Sequence, residues 1–272
     1  MKKRRNLLYN LALRLFSRIG KRKRFIFSTA ILTLLVLSIT FYSFSEARLF
    51  IPIALFAVYV FTFFSILEGI TRREWITLFI PPLYFTLVFT LFYFFLPQRW
   101  LTRLPFVAIY AISIYAIMLS QNIFNVGALK SLQLFRAAFS VNYLFLTFSS
   151  FLAYSLILSF RSNFLINGAM VALVTAPLAL HFLWSVNPQD TIEKRIIAYS
   201  VLISLLVGEA GVMLSFMPVN GSIFALFLTS FYYSVSGLTS AHMQEMLFRE
   251  RVREYVAVLG FVFFIVFLSL GW

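Results

Sequence analysis

The chain has 272 residues and a net charge of +14; 61% of its residues are hydrophobic, and only 12% are charged. A soluble domain carries about a quarter charged residues, so this composition excludes an ordinary soluble protein. The absence of Cys also excludes disulfide scaffolds and cysteine-based metal or thiol chemistry.

Residues 1–24 form a basic tail ahead of the first apolar run. Within the tail, Leu7, Leu8, Leu11, Leu15 and Ile19 recur at helical spacing, and basic residues lie off this stripe. The pattern predicts an interfacial amphipathic helix on a membrane surface that contains anionic lipid. We therefore expect membrane lipids as partners, with anionic lipid at the tail, and no nucleic acid; the sequence leaves protein partners open.

Nine apolar runs follow, each close to the length of about 20 residues that a membrane-spanning helix requires. They comprise residues 25–44, 49–67, 75–96, 104–123, 134–160, 164–185, 196–216, 223–240 and 255–270. Because lipid offers the backbone no hydrogen-bond partners, residues 25–272 are predicted to form one all-α, polytopic transmembrane helix bundle. The first run resembles part of a signal peptide, but it exceeds the usual length of about 7–15 residues, which favours an uncleaved anchor.

The distribution of basic residues predicts the orientation of the bundle. With nine spans and the N-terminus inside, most of the 23 Lys and Arg residues fall in cytoplasmic segments. Only Arg48, Arg99, Arg103 and Arg161 then fall outside. Positive charge accumulates on cytoplasmic loops, so the N-terminus is predicted inside and the C-terminus outside.

Glu209 lies deep in the run 196–216, where a carboxylate is costly and is therefore a candidate for function. Asn167 enters the preceding span from the opposite side, so we expect it at a similar depth, within reach of a hydrogen bond to Glu209. The functional interpretation is a proton- or cation-binding carboxylate. The structural interpretation is a protonated Glu that joins helices, and the nearby Gly208 and Gly211 favour it because small residues permit close helix approach.

A second group of polar residues lies toward the cytoplasmic side. His181 is a candidate proton relay or general base, although a satisfied structural histidine is favoured. Asn122, Asn125 and Arg136 form a predicted polar cluster on the same side. Arg136 can hold a lipid phosphate or a substrate anion, but snorkelling to the interface is the favoured interpretation.

Several catalytic motifs are absent from the sequence. It has no Gly-rich phosphate loop, no HExxH zinc pair and no Gly-x-Ser-x-Gly motif. His242 and Glu245 are three residues apart, but two ligands are too few to predict a metal site. We therefore predict no metal, cofactor or catalytic residue, and the sequence weighs against an enzyme.

Two segments carry a family resemblance. Residues 121–138 (QNIFNVGALKSLQLFRAA) and residues 247–255 (LFRERVREY) resemble segments of uncharacterised multi-spanning proteins from candidate-phyla bacteria. The resemblance implies a multi-pass protein of a bacterial inner, or cytoplasmic, membrane. It implies no mechanism, and no catalytic residues carry over from it.

Three function classes remain from the sequence. A transporter or permease-like subunit is favoured by Glu209 and Asn167 within spans. A non-catalytic membrane scaffold or assembly partner is favoured by the absent motifs and the sparse buried polarity. A lipid-modifying enzyme at the cytoplasmic leaflet is the third class, and it requires His181, Asn122 and Asn125 to lie within a few ångström of one another.

Overall fold

The computed structural model describes residues 20–67, 75–126, 132–160, 162–189, 191–217 and 220–269. Every regular element longer than one turn in these residues is an α-helix. The helices are α1 (Lys21–Ile39), α2 (Phe44–Ile66), α3 (Trp75–Tyr93), α4 (Trp100–Val126), α5 (Leu132–Ser159), α6 (Phe164–Val186), α7 (Lys194–Leu214), α8 (Gly221–Met243) and α9 (Arg249–Ser269). The all-α prediction is therefore confirmed for this part of the chain.

Eight of the helices in the described residues, α2–α9, are long and apolar enough to cross a membrane. This indicates a multi-pass membrane protein. α1 is not among them, because the first four of its 19 residues are the basic residues KRKR. The apolar part that remains is shorter than the 18 residues that a span requires. Of the nine predicted spans, eight thus have a matching helix of spanning length and composition.

Several helices begin earlier than the apolar runs predict, and in α2 and α9 polar residues form the added turns or cap them. α2 begins at Phe44 rather than at residue 49, since the Glu46 carboxylate accepts hydrogen bonds from the backbone N–H and the hydroxyl of Ser43. Such a capping box satisfies N–H groups that the first turn leaves free. α9 begins at Arg249, so its charged first turns form a helical extension of the apolar run.

Two buried arginines lie at opposite ends of α1. Arg24 belongs to its first turn, and Arg103, on α4, contacts its C-terminal end. Arg24 is fully buried, and its Nη1 donates to the carbonyl oxygen of Phe64 at 3.4 Å. Arg103 donates to the carbonyl oxygen of Thr40 at 2.9 Å and to the Tyr93 hydroxyl at 3.2 Å. Residues 21–24, predicted as part of the tail, therefore belong to a helix that packs within the bundle. The predicted amphipathic helix of the tail, up to Ile19, lies outside the described residues.

α6 and α7 approach each other through glycines. A Cβ atom on Gly208 would lie 2.9 Å from the carbonyl oxygen of Gly168 and 2.8 Å from the Cβ of Ala172. A Cβ atom on Gly168 would lie 3.0 Å from the carbonyl oxygen of Gly208. The contact leaves no room for a side chain at either position, and it confirms the predicted role of Gly208 in close helix approach.

The C-terminus of α8 contains a residue in the left-handed conformation, Glu245, with φ of 57°. The turn is closed by hydrogen bonds from Glu245 N to His242 O and from Met246 N to Ala241 O, at 3.1 and 2.9 Å. Gly is the usual residue at this position because a side chain there costs about 1 kcal/mol.

We therefore expect Glu245→Gly to raise the melting temperature of the detergent-solubilised protein, measured by scanning fluorimetry. Glu250→Gly is the matched control. Glu250 lies in the first turn of α9 with regular helical geometry, where Gly lowers helix stability. A melting temperature that falls in both variants would contradict the assignment of strain to Glu245.

Candidate functional site

A cavity of about 820 Å³ lies between α5, α6, α8 and α9; we call it the Arg136 cavity. Its charged side chains are Arg136 from α5 and Arg251 from the first turn of α9. Both are exposed, and neither forms an ion pair or a hydrogen bond with any residue that the structure describes. Two guanidinium groups at one cavity that form no ion pair with a described residue are suited to bind an anion such as a phosphate.

The wall of the Arg136 cavity is aromatic. The Tyr143 ring stacks on Phe182, with centroids 4.3 Å apart, and on Tyr233, with centroids 4.8 Å apart. Tyr233 in turn contacts Tyr255, at 5.4 Å. The Tyr143 hydroxyl donates to the carbonyl oxygen of Tyr233, which fixes the wall between α5 and α8. An apolar wall beside two cations fits a molecule with an anionic head and an apolar body.

The place of Tyr255 in this wall depends on a glycine. A Cβ atom at Gly237 on α8 would lie within 2.5 Å of the Tyr255 ring. The absence of a side chain at Gly237 therefore lets α9 bring its ring and Arg251 against the cavity.

A second cavity, of about 1250 Å³, lies between α3, α5, α6, α7 and α8, at the ends opposite to the first; we call it the Asn167 cavity. Its polar lining consists of Ser155, Ser159, Ser162, Asn163, Asn167, Ser215, Asn220 and Ser222. α6 and α8 both begin at this cavity, capped by side-chain oxygens of Asn163 and Asn220 that accept from Leu165 N and Ser222 N.

The two cavities share three helices but are separated by a closed region. Along α5, the Arg136 cavity reaches Leu144 and the Asn167 cavity begins at Phe151, which is about 10 Å further along the helix axis. The intervening stretches of α5, α6 and α8 carry the fully packed side chains of Leu146, Leu178, Leu228 and Tyr232, which belong to one buried cluster. The two cavities therefore lie at opposite ends of α5, α6 and α8, and packed side chains separate them.

A buried polar network of five residues joins α3, α4, α5 and α6. His181 on α6 is fully buried; its Nδ1 lies 2.8 Å from the carbonyl oxygen of Thr77 on α3. Its Nε2 lies 3.1 Å from Oδ1 of Asn142 on α5. Asn142 also bonds to Gln121 on α4, at 3.1 Å, and to Ser185 on α6, at 3.3 Å. Asn142 is thus the centre of a network that ties α3, α4, α5 and α6 together.

His181 forms no hydrogen bond with Asn122 or Asn125. Asn125 donates to the carbonyl oxygen of Ile66 at 2.9 Å, whereas His181 bonds to Thr77 and Asn142. Asn122 is nearly buried and forms no hydrogen bond with a described residue. Consecutive positions on a helix point about 100° apart, so Gln121, rather than Asn122, faces the histidine network.

The side chains of Glu209 and Asn167 do not contact each other either. Because α6 and α7 meet at Gly168 and Gly208, the next residue, Glu209, points away from the contact and is exposed on the outer face of α7. Asn167 lies in the first turn of α6, and its Nδ2 donates to Ser162 O at 3.0 Å. The predicted hydrogen bond between Glu209 and Asn167 is therefore not formed, and Glu209 lines neither cavity.

Sequence reasoning did not select several residues of these sites. Asn142, at the centre of the buried network, is an uncharged residue within an apolar run, and a polar side chain in such a run is a signal that could have found it. Arg251 gave no such signal, because it lies in a segment of alternating charge that resembles any solvated helix end. Among the described residues, no three His, Asp or Glu side chains lie close enough to hold a metal ion.

Residues 131–269 match the family described as "Protein of unknown function (DUF5656)". The match covers just over half of the chain, from the start of α5 to the end of α9, and includes the whole lining of the Arg136 cavity. No curated protein matches the chain. No solved structure matches it either.

Proposed function

We propose that this chain, which belongs to the DUF5656 family of proteins of unknown function, is a transporter or permease-like subunit for an anionic amphiphile. The observation that carries the proposal is the pair of cavities at opposite ends of α5, α6 and α8. A transporter must expose a binding site to each side of the membrane in turn, and two cavities separated by a short closed region provide that geometry.

The proposed ligand follows from the Arg136 cavity. Arg136 and Arg251 supply positive charge, and the rings of Tyr143, Tyr233 and Tyr255 supply an apolar wall. A lipid with a phosphate headgroup has both complementary parts. The cavity lies between the bundle and α9, which packs mainly against α8, so that a lipid reaches it from the side of the bundle.

We further propose nine spans, with the N-terminus in the cytoplasm of a bacterial cell and the C-terminus outside. α1 has 19 residues and therefore spans about 28 Å, close to the thickness of the hydrocarbon core, which is about 30 Å. In this orientation the Arg136 cavity faces the cytoplasmic leaflet of the inner membrane, and the basic loops lie on the same side.

The transport proposal does not use Glu209 as a coupling carboxylate, since its side chain lines neither cavity. A scaffold role is the alternative, and the His181 network is the observation that favours it. That network is fully packed and joins four helices, as expected of a rigid structural core. The experiment below separates the two functions, because a scaffold moves no lipid.

The test is lipid translocation in proteoliposomes that contain fluorescent NBD-labelled phosphatidylglycerol. Dithionite added outside bleaches the labelled lipid of the outer leaflet at once. Labelled lipid of the inner leaflet is bleached only after it has crossed to the outer leaflet, which gives a slow phase. We expect the wild-type protein to accelerate the slow phase over protein-free liposomes. We expect the double variant Arg136→Gln/Arg251→Gln to slow it by about tenfold or more, because each guanidinium contributes a charge-assisted hydrogen bond.

Arg253→Gln is the matched control, since Arg253 is exposed on the same helix as Arg251 but lines neither cavity. A slow phase equal to that of protein-free liposomes would overturn the transport proposal. An equal loss of rate in the Arg253→Gln variant would show that general surface charge, rather than the cavity, determines the rate.

A further inference from the structure

We propose that the Asn167 cavity binds an uncharged, hydroxyl-bearing headgroup, such as the glycerol or sugar headgroup of an amphiphile. The proposal rests on the proposed function in one respect, which is that the ligand is an amphiphile. It assigns to this cavity a chemistry different from that of the Arg136 cavity.

The side chain of Asn167 carries the argument. It is only 7% exposed, and its Nδ2 donates to the carbonyl oxygen of Ser162 at 3.0 Å. Because a carbonyl oxygen accepts and never donates, this bond fixes the orientation of the amide. Oδ1 is then the free atom; it is buried and has no hydrogen-bond partner among the described residues. A buried oxygen of this kind requires a donor, and a ligand in the cavity that Asn167 lines can supply one.

The surrounding hydroxyl groups complete a site that both donates and accepts. The hydroxyls of Ser159 and Ser215 donate to the carbonyl oxygens of Ser155 and Gly211, at 2.7 and 2.8 Å. Their oxygens can therefore only accept a hydrogen bond from a ligand. The hydroxyls of Ser155 and Ser222 form no hydrogen bond with any described residue. A hydroxyl group is the ligand chemistry that matches mixed donors and acceptors, because it can do both.

Charge distinguishes this headgroup from an anion. None of the lining residues that the structure describes is charged. The N-termini of α6 and α8 add partial positive charge, but both are already capped by Asn163 and Asn220. Among the residues that the structure describes, a phosphate would find no cation here, and it would approach the free Oδ1 of Asn167, an unfavourable contact for two acceptors.

Aromatic side chains provide for the apolar part of the ligand. The rings of Phe164 and Phe216 lie 5.0 Å apart at the cavity, and Phe151 and Phe224 also line it. With about 1250 Å³, the cavity exceeds the range of about 300–1,000 Å³ that is typical of small-molecule sites. It therefore has room for a headgroup and the first part of an acyl chain.

The experiment uses photoreactive lipids in nanodiscs that contain the full chain. The probe is a monoacylglycerol with a diazirine in its acyl chain, and the matched probe is the methyl ester of the same acyl chain, which has no hydroxyl. After irradiation, mass spectrometry measures the labelled fraction of peptides from 151–167 and 215–224. We expect the monoacylglycerol to label these peptides about fivefold more than the ester, as expected for one added hydrogen bond.

Asn167→Leu should reduce monoacylglycerol labelling to the level of the ester. Asn125→Leu, which removes an amide at the other end of the bundle, should leave it unchanged. If Asn167→Leu does not fold, Ser155→Ala/Ser222→Ala replaces it, with a loss of labelling expected in the same peptides. Equal labelling by the two probes, or stronger labelling by a lysophosphatidic acid with the same acyl chain, would overturn the proposal.

The outcome is independent of the translocation test. Labelling that depends on Asn167 in a protein that moves no lipid would leave the binding site in place and remove the transport function. Translocation without such labelling would retain the transport function and remove this site.

Discussion

Gly208→Val is expected to lower the free energy of unfolding by about 3 kcal/mol, among the largest effects of a single substitution in this protein. A Cβ atom at this position meets the backbone oxygen of Gly168 at 2.9 Å and the Cβ of Ala172 at 2.8 Å. Neither atom belongs to the end of a flexible side chain, so α6 and α7 must move apart. Their separation would also disturb the Asn167 cavity, which is lined by α6 and by the residues that directly follow α7.

The measurement is unfolding by sodium dodecyl sulfate in mixed micelles, followed by circular dichroism. Gly260→Val is the matched control, because a Cβ atom at Gly260 on α9 meets nothing within 4 Å. We expect this variant to keep the stability of the wild-type protein to within about 0.5 kcal/mol. Equal losses in the two variants would show that the α6–α7 contact is not as close as the structure has it.

Asn142→Leu is expected to lower the free energy of unfolding by about 2–4 kcal/mol. The substitution removes the partner of His181, Gln121 and Ser185 at once. Each interhelical hydrogen bond in a membrane protein contributes about 0.6–1.7 kcal/mol, and three are lost together. Asn142 is 1% exposed, so water cannot replace the lost partners.

Asn125→Leu serves as the control for the same chemical change, because Asn125 loses a single bond, to Ile66 O. Its loss should be about 1 kcal/mol, measured by the same unfolding titration. If Asn142→Leu costs no more than Asn125→Leu, Asn142 does not act as the centre of the network. The dependence on His181 can then be measured in a double-mutant cycle with His181→Leu.

The candidate sites show how far residue patterns lead in a membrane protein. Glu209 stands out in the sequence as a carboxylate in an apolar run, yet it follows Gly208 by one residue, about 100° around the helix, and therefore points away from the α6–α7 contact. Arg136 was recognised as a possible anion ligand, but its relation to Arg251 was not. These two arginines are more than 100 residues apart, and only the packing of α9 on α8 brings them to one cavity.

For Asn167, the sequence indicates the polar surroundings but not the hydrogen-bond partner. Its depth within an apolar run predicts a polar contact, and the structure does place it among polar groups. The hydrogen bond expected between Asn167 and Glu209 is not formed, because Glu209 is exposed on the face of α7 that points away from α6, while Asn167 Nδ2 donates to Ser162 O. The free oxygen, on which the proposed headgroup site depends, is visible only once that local bond is known.

The sequence by itself determined the class of this protein. Apolar runs of about 20 residues are a requirement of the hydrocarbon core, so they are local and can be read along the chain. The same reasoning predicted nine spans, and the structure contains a helix of spanning length and composition for eight of them. The sequence also indicated Gly208 as a position of close helix approach, but not its partner Gly168. Only the tertiary structure decided which polar side chains share a site. In lipid both faces of a helix are apolar, so the sequence pattern does not reveal which face turns inward, and the neighbours of His181, Arg136 and Asn167 depend on how the helices are rotated and packed.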